Sequence, residues 1–303
     1  MAGVTQAPEG QGQNRSIRMF ALDLDDTLLR SDLTISFRTR NAIKKAEAAG
    51  MVVVLASGRV PSAMEPFARR LGLNKRPGYL ICNNGTIIQE SHTGVIIDEV
   101  RLPAETALTA YDLAAAEGFP VQIYEDNVMY VSRSNEFADY DQKITGLRQV
   151  VVENFRSMVA SGCHKLLIPG DPMILRPLEN LLKTYVGSEV TIFTSKPYFL
   201  EILPPHTDKG TALEKVALRL GIPRTAVVAI GDSMNDEAML RWAGTGVAMV
   251  NGDRRIKEIA DLVTGWSNDD DGVADVIEHY LAGKPPETYP PSKKAPGRDG
   301  GQD

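Results

Sequence analysis

Cysteine is scarce in this chain. Its 303 residues hold two, Cys82 and Cys163, each inside an apolar run. A chain this long can bury a sizeable core without cross-links, so two free thiols in a reducing, cytoplasmic compartment are expected rather than a disulfide framework. Long apolar runs are also missing. No stretch approaches the ~20 residues of a membrane span, and residues 1–16 are polar and Gln/Gly-rich, so neither a span nor a secretory leader is expected. Positive charge is in deficit, with 33 Lys and Arg against 39 Asp and Glu and no long basic run. That excess of acid argues against a nucleic-acid partner. It also requires any anion site to be local and assisted by a cation.

Hydrophobic residues make up 43% of the chain and charged residues 24%, ordinary values for a globular protein. Short apolar runs at 17–24, 51–56, 79–82, 226–230 and 246–250 end abruptly in polar or glycine residues. Runs of this length suit strands buried on both faces of a parallel sheet. Between them lie helical patterns at 39–49, 62–71, 211–220 and 236–243, and those at 39–49, 211–220 and 236–243 stop at a glycine. The middle differs. Hairpin signals at 87–99 and, around Asp126 and Asn127, at 121–132 alternate with helical patterns at 108–117 and 174–185. The sequence therefore predicts an α/β protein: a Rossmann-like parallel-sheet core at 17–85 and 205–283, interrupted by an inserted α+β cap at 86–204. Disordered ends are expected at 1–16 and 284–303, the latter rich in Pro, Gly and charge.

Four constellations fall at strand ends or helix starts of the core, where open α/β sheets bind ligands. Asp23-Leu24-Asp25-Asp26-Thr27 closes the first strand. Asp23 and Asp25 are two apart, so an extended chain turns both carboxylates to one side. At ~4 Å such a pair repels by roughly 4 kcal/mol at an effective dielectric of 20, which calls for a hard cation such as magnesium. Ala56-Ser57-Gly58-Arg59 follows the second strand, with a small hydroxyl and a glycine that let an anion approach the backbone. Asp208-Lys209-Gly210-Thr211 opens a helix with a lysine on the unfavourable side of the helix dipole. Gly231-Asp232-Ser233-Met234-Asn235-Asp236 brings a second acidic cluster to a strand end. Taken singly, three of them also fit plain turns with capping residues, and Lys209 also fits a solvated surface lysine.

Together, and in this order, the four motifs resemble those of the haloacid dehalogenase superfamily. Asn83-Asn84-Gly85, Phe199-Leu200-Glu201-Ile202 and Asn268-Asp269-Asp270-Asp271-Gly272-Val273 look like its Cof-type phosphatases, which carry a large α+β cap. The resemblance implies a Mg²⁺-dependent phosphatase. Asp23 would be the nucleophile and Asp25 the acid and base. Leu24, Ser57, Gly58, Lys209 and Asn235 would hold the phosphoryl group. Asp23, Asp232 and Asp236 would serve the metal, with Asp25 contributing its backbone carbonyl. It implies a small phosphorylated metabolite as partner, a sugar phosphate or flavin mononucleotide, and a monomer or small homo-oligomer. Two departures stand out: Asp26 where the family commonly has glycine, and the more charged 204–208 segment with His206.

Substrate choice would belong to the cap, where Tyr124, Tyr130, His164 and Lys196 are weak candidates. A phosphomutase of the same superfamily, a receiver domain and a non-catalytic magnesium or phosphate binder compete with this reading. The receiver is too short to fit. The EF-hand-like spacing of Ser267, Asp269, Asp271 and Gly272 with Glu278 reads as the turn before the last helix, since its first position is serine.

Overall fold

The computed structural model describes residues 17–125 and 127–284. The terminal segments expected to be disordered, except Lys284, lie outside the described residues, as does Asp126 in the expected second hairpin. Five strands come first: β1 (Met19–Asp23), β2 (Val52–Ala56), β3 (Tyr79–Cys82), β4 (Ile87–Glu90) and β5 (Ile96–Glu99). Six follow: β6 (Gln122–Glu125), β7 (Val128–Val131), β8 (Arg148–Val151), β9 (Leu166–Pro169), β10 (Thr191–Lys196) and β11 (Phe199–Leu203). The chain then returns as β12 (Val227–Gly231), β13 (Thr245–Ala248) and β14 (Leu262–Val263). The helices begin with α1 (Phe37–Ala48), α2 (Pro61–Leu71), α3 (Ala104–Ala116), α4 (Glu136–Thr145) and α5 (Phe155–Ala160). They continue with α6 (Pro172–Val186), α7 (Lys209–Arg219), α8 (Glu237–Trp242), α9 (Arg254–Ile259) and α10 (Gly272–Leu281).

The first sheet has the order β14-β13-β12-β1-β2-β3-β4-β5 and is parallel from β14 through β3. The expected parallel core is present. Its strands are apolar throughout because both faces are covered. Phe20 and Leu22 enter one layer with Ile43 and Ile277, while Met19 and Ala21 enter the other with Leu213 and Val216. Helix α1 shows how the sequence encodes this. Thr39, Ala42, Ile43 and Ala46 make a buried i, i+3, i+4, i+7 stripe, and the Ser36 side chain caps the helix by accepting from Thr39 N.

The 87–99 hairpin is a correction to the sequence reading. It was expected in the inserted module, but β4 pairs antiparallel with β3 and extends the core sheet. Hairpin chemistry is local and cannot say which sheet edge the hairpin joins. Helices α4, α5 and α9 were also not anticipated.

The inserted sheet has the order β10-β11-β9-β6-β7-β8 and is antiparallel except for β7 with β8. Its side chains alternate between two faces. Ile123, Leu166, Ile168, Leu200 and Ile202 pack on the helix side with Ala107, Phe155 and Leu178. Tyr124, Met129, Val131, Leu167 and Phe199 point the other way and pack with Val60 and Ala63 from the start of α2. The cap thus lays one sheet face over the carboxyl ends of the core strands.

Candidate active site

Strands β12 and β2 flank β1 on either side. Chain order reverses there, so the loops after β1 and β12 diverge and leave a crevice. Asp23 ends β1 and Asp232 follows β12, both about 5% exposed. The chain leaves β1 in a tight turn in which Asp26 takes a positive φ of 61°. Aspartate tolerates that left-handed conformation better than most residues, which accounts for its presence where glycine was expected. The extra negative charge is met from the cap: Lys196 Nζ lies 2.6 Å from Asp26 Oδ2.

Lys209 is the first residue of α7 and is fully buried. The helix start is stabilised by reciprocal bonds between Asp208 and Thr211, so the lysine is free to point inward. Its Nζ lies 2.6 Å from Asp23 Oδ1 and 2.6 Å from Asp236 Oδ1. Asp236 Oδ2 in turn accepts from the backbone N–H groups of Asp232, at 2.9 Å, and Ser233, at 3.0 Å. A Cβ on Gly231 would fall 2.6 Å from the Asp236 carboxyl, so only glycine permits this packing. Asp232 Oδ1 accepts from Thr27 Oγ1 at 2.9 Å, and Oδ2 accepts from Ser233 Oγ at 2.6 Å.

Asp23, Asp232 and Asp236 present carboxylate oxygens within 4.8 Å of one another. Burial and the charge of Asp236 push Asp23 well above the usual carboxylate range, against the pull of Lys209. The same two causes push Asp232 up to about 6. Burial works against Lys209's charge, but Asp23 and Asp236 outweigh it and hold the ammonium protonated. Three buried carboxylates therefore lie together, and one ammonium is bonded to two of them. Buried hard-oxygen donors left short of positive charge fit a divalent cation.

Asp25 stands apart from this cluster. Its two carboxylate oxygens accept from Arg59 Nε at 2.9 Å and Nη2 at 2.6 Å, the planar two-point pairing that only arginine supplies. Burial would raise the Asp25 pKa, but the Arg59 bonds and charge outweigh it and hold the carboxyl below its ordinary value. Arg59 Nη1 also donates to the carbonyl of Ile144 in α4, at 2.6 Å. One guanidinium therefore ties Asp25 to the cap. The sequence motif contained Arg59, but assigned it no role.

Ser57, Gly58 and Asn235 line a cavity of about 370 Å³ together with Asp23, Asp25 and Asp232. Lys209, Asp236 and Leu24 do not line it; Lys209 reaches the site through the Asp23 carboxylate. A buried polar chain supports the cavity wall. Asn235 Nδ2 donates to Asn84 Oδ1 at 3.0 Å, and Asn84 Nδ2 donates to Glu201 Oε2 at 2.9 Å. Lys165 Nζ donates to the same Glu201 oxygen at 2.9 Å and to the Gly58 carbonyl at 3.0 Å. In the sequence Asn84 and Glu201 belong to segments that look like the Cof-type phosphatases without a role of their own, and Lys165 carries no motif. A lone charge in each of the apolar runs 165–169 and 199–203 was the signal available for Lys165 and Glu201.

Among the cap candidates, Tyr124 and Lys196 line the cavity. Tyr130 packs against the helix-side core. His164 lies between β5 and β6, with Nε2 2.7 Å from Glu99 Oε1 and Nδ1 3.5 Å from Glu125 Oε1. His206 is exposed and outside the cavity. The EF-hand-like segment is a turn: Asp269 accepts from Ser31 N and Oγ, and Asp271 occupies the cap position of α10. The capping role expected of Asn268 or Asp269 is thus displaced, and Asn268 Nδ2 instead donates to the Leu29 carbonyl at 2.9 Å.

Comparison with known proteins agrees with this geometry. Residues 20–277 match the family model for haloacid dehalogenase-like hydrolases. The chain is 31% identical over 276 residues to the 5-amino-6-(5-phospho-D-ribitylamino)uracil phosphatase YcsE of Bacillus subtilis (strain 168), covering 89% of this chain and 98% of that one. It is 30% identical over 275 residues to the HMP-PP phosphatase of Yersinia enterocolitica, covering 90% and 98%. The crystal structure of a haloacid dehalogenase-like hydrolase from Bacteroides thetaiotaomicron superposes with a TM-score of 0.79 at 32% identity, over 87% of this chain and 99% of that one. On this match and on the strand-end carboxylates, the chain belongs to the haloacid dehalogenase-like hydrolases and is an enzyme of their phosphatase type.

Proposed function

We propose that the protein hydrolyses phosphate monoesters of small metabolites through an aspartyl-phosphate on Asp23, with Mg²⁺ as its cation. The observation that carries this reading is the Asp23–Lys209–Asp236 contact beside Asp232: a nucleophile held in place by one buried ammonium, within a cluster short of positive charge. Asp23, Asp232 and Asp236 would hold the cation, which when bound neutralises the carboxylates and the phosphoryl oxygens.

Asp23 attacks phosphorus in line and the leaving alkoxide departs toward Asp25. In the resting arrangement Asp25 is an ionised carboxylate under Arg59. A dianionic phosphate beside it opposes that ionisation, so Asp25 acquires the proton it then gives to the alkoxide. Afterwards Asp25 takes a proton from the water that attacks the aspartyl-phosphate. Ser57, the Gly58 N–H and Asn235 hold phosphoryl oxygens along the cavity wall, a role that is electrostatic. The cap sheet face over the crevice keeps bulk water from the intermediate. The cavity of about 370 Å³ is of the size that takes a small-molecule ligand, the class to which the substrate named for the ribityl relative belongs.

Phosphate release from p-nitrophenyl phosphate tests the reading. Magnesium should be required, EDTA should stop turnover, and Asp23→Asn should lower the rate by at least about a thousandfold. Full activity of Asp23→Asn would refute the mechanism. Interconversion of sugar phosphates without phosphate release would assign a mutase instead.

A further inference from the structure

We infer that Asp141 selects the leaving group, accepting a hydrogen bond from a hydroxyl or amine of the alcohol that departs from phosphate. This rests on the phosphatase reading and adds to it the class of leaving group and the residue that recognises it.

Asp141 lies on the inner face of α4 and is 4% exposed, yet it lines the cavity. Two donors reach it, and both reach the same oxygen: the Tyr124 hydroxyl donates to Oδ2 at 2.5 Å, and Gln122 Nε2 donates to Oδ2 at 2.8 Å. Gln122 Nε2 also donates to the Tyr124 hydroxyl oxygen at 2.7 Å, which closes the three groups into a ring. Oδ1 carries no hydrogen bond among the described residues. A buried carboxylate with one oxygen held twice and the other open is a fixed acceptor facing the cavity. Its place relative to the chemistry is also fixed. The Ile144 carbonyl, three residues further along α4, accepts from the same Arg59 that holds Asp25.

The charges around the cavity give the class of partner. Every lysine and arginine among the lining residues already faces a carboxylate: Arg30 with Asp271, Arg59 with Asp25, Lys165 with Glu201, and Lys196 with Asp26. No cation is left to receive a second phosphate or a carboxylate of the leaving group. An open acceptor is left. A polyhydroxylated or amine-bearing alcohol supplies the donor that Asp141 lacks, whereas an anionic leaving group would meet its charge unpaired, at a large cost.

The full-length protein is assayed with magnesium on three phosphate esters. Ribitol 5-phosphate carries donors on its leaving group, phosphoglycolate carries a carboxylate, and p-nitrophenyl phosphate carries neither. The wild type should favour ribitol 5-phosphate over phosphoglycolate by at least about tenfold in kcat/KM. The second readout is the kcat/KM ratio of ribitol 5-phosphate to p-nitrophenyl phosphate. It should fall by about 10- to 100-fold in Asp141→Ala, and by less in Asp141→Asn, which keeps the side-chain shape. Asp141→Asn should also raise the relative rate on phosphoglycolate, because the repelling charge is gone. An unchanged ratio in both variants overturns the inference, including the case in which both substrates fall together through damage to the fold. So does a wild type that turns over p-nitrophenyl phosphate but favours phosphoglycolate. A wild type inactive on p-nitrophenyl phosphate instead refutes the phosphatase reading, and this inference with it.

Discussion

On the core side of the cavity, Asp23, Asp232 and Asp236 crowd three carboxylates together, and the ammonium of Lys209 meets two of them, Asp23 and Asp236. On the cap side, Lys165 and Lys196 each meet a carboxylate, and one carboxylate oxygen, on Asp141, is left over. Once Lys196 is paired across the seam with Asp26, each side leaves carboxylate oxygen unmatched, but for different uses. The core imbalance is concentrated, buried and oxygen-rich, which suits a divalent cation and a transferred phosphoryl group. The cap imbalance is a single oriented acceptor, which suits a neutral donor. On the proposed function, chemistry and selectivity are separated across the seam, which Arg59 spans by bonding to both Asp25 and the Ile144 carbonyl.

The comparison breaks most severely at Lys209. Lys209→Met leaves Asp23 and Asp236 facing each other without the ammonium. Removing one partner of a buried charge set costs about 3–5 kcal/mol. Turnover of p-nitrophenyl phosphate should fall by about a hundredfold or more, as for loss of a preorganised electrostatic group. Thermal stability should become strongly dependent on magnesium, since the cation is then the sole positive charge in the cluster. Melting curves with magnesium and with EDTA check this; equal melting temperatures in the two would show that the lysine and the cation do not share the carboxylates.

A smaller effect sharpens the cap half. Burial is the main cause that holds the Asp141 carboxyl above its ordinary value, against the Tyr124 bond and the Lys165 charge. The folded chain therefore binds that proton more tightly than the unfolded chain. This residue's contribution to stability is greatest at low pH and declines as pH rises from the ordinary carboxylate value through the raised one. Asp141→Asn lacks that decline. Its melting temperature relative to wild type should thus improve as pH rises above about 4, the ordinary carboxylate value. A difference that stays constant across this range would show that Asp141 is no more costly to ionise in the fold than in solution.

Much of the core half was legible because its signals are local. Asp23 and Asp25 sit two apart at the end of an apolar run, Lys209 opens a helix after Asp208, and Asp232 and Asp236 bracket a strand-to-helix turn. Each pattern is set by neighbours in the chain, and the parallel sheet brings the strand ends together. The cap half was not legible for the opposite reason. Asp141 meets Gln122 and Tyr124 across 19 and 17 residues, Asn84 meets Glu201 across 117, and Arg59 meets Ile144 across 85. Such pairings depend on which sheet face a strand presents and on a helix, α4, that no strong periodic stripe announced. The β4–β5 hairpin was misassigned on the same account, because its edge partner β3 is chosen by packing and not by the hairpin's own turn.

The claim on which the rest depends is that Asp23 carries the phosphoryl group. Mixing the enzyme and magnesium with excess p-nitrophenyl phosphate, quenching in acid and reducing with borohydride would convert an aspartyl-phosphate to homoserine, located by peptide mass spectrometry. Homoserine at position 23, absent when substrate is omitted, is the predicted result. A burst of p-nitrophenol with aspartate intact at position 23, or homoserine at another position, would contradict it.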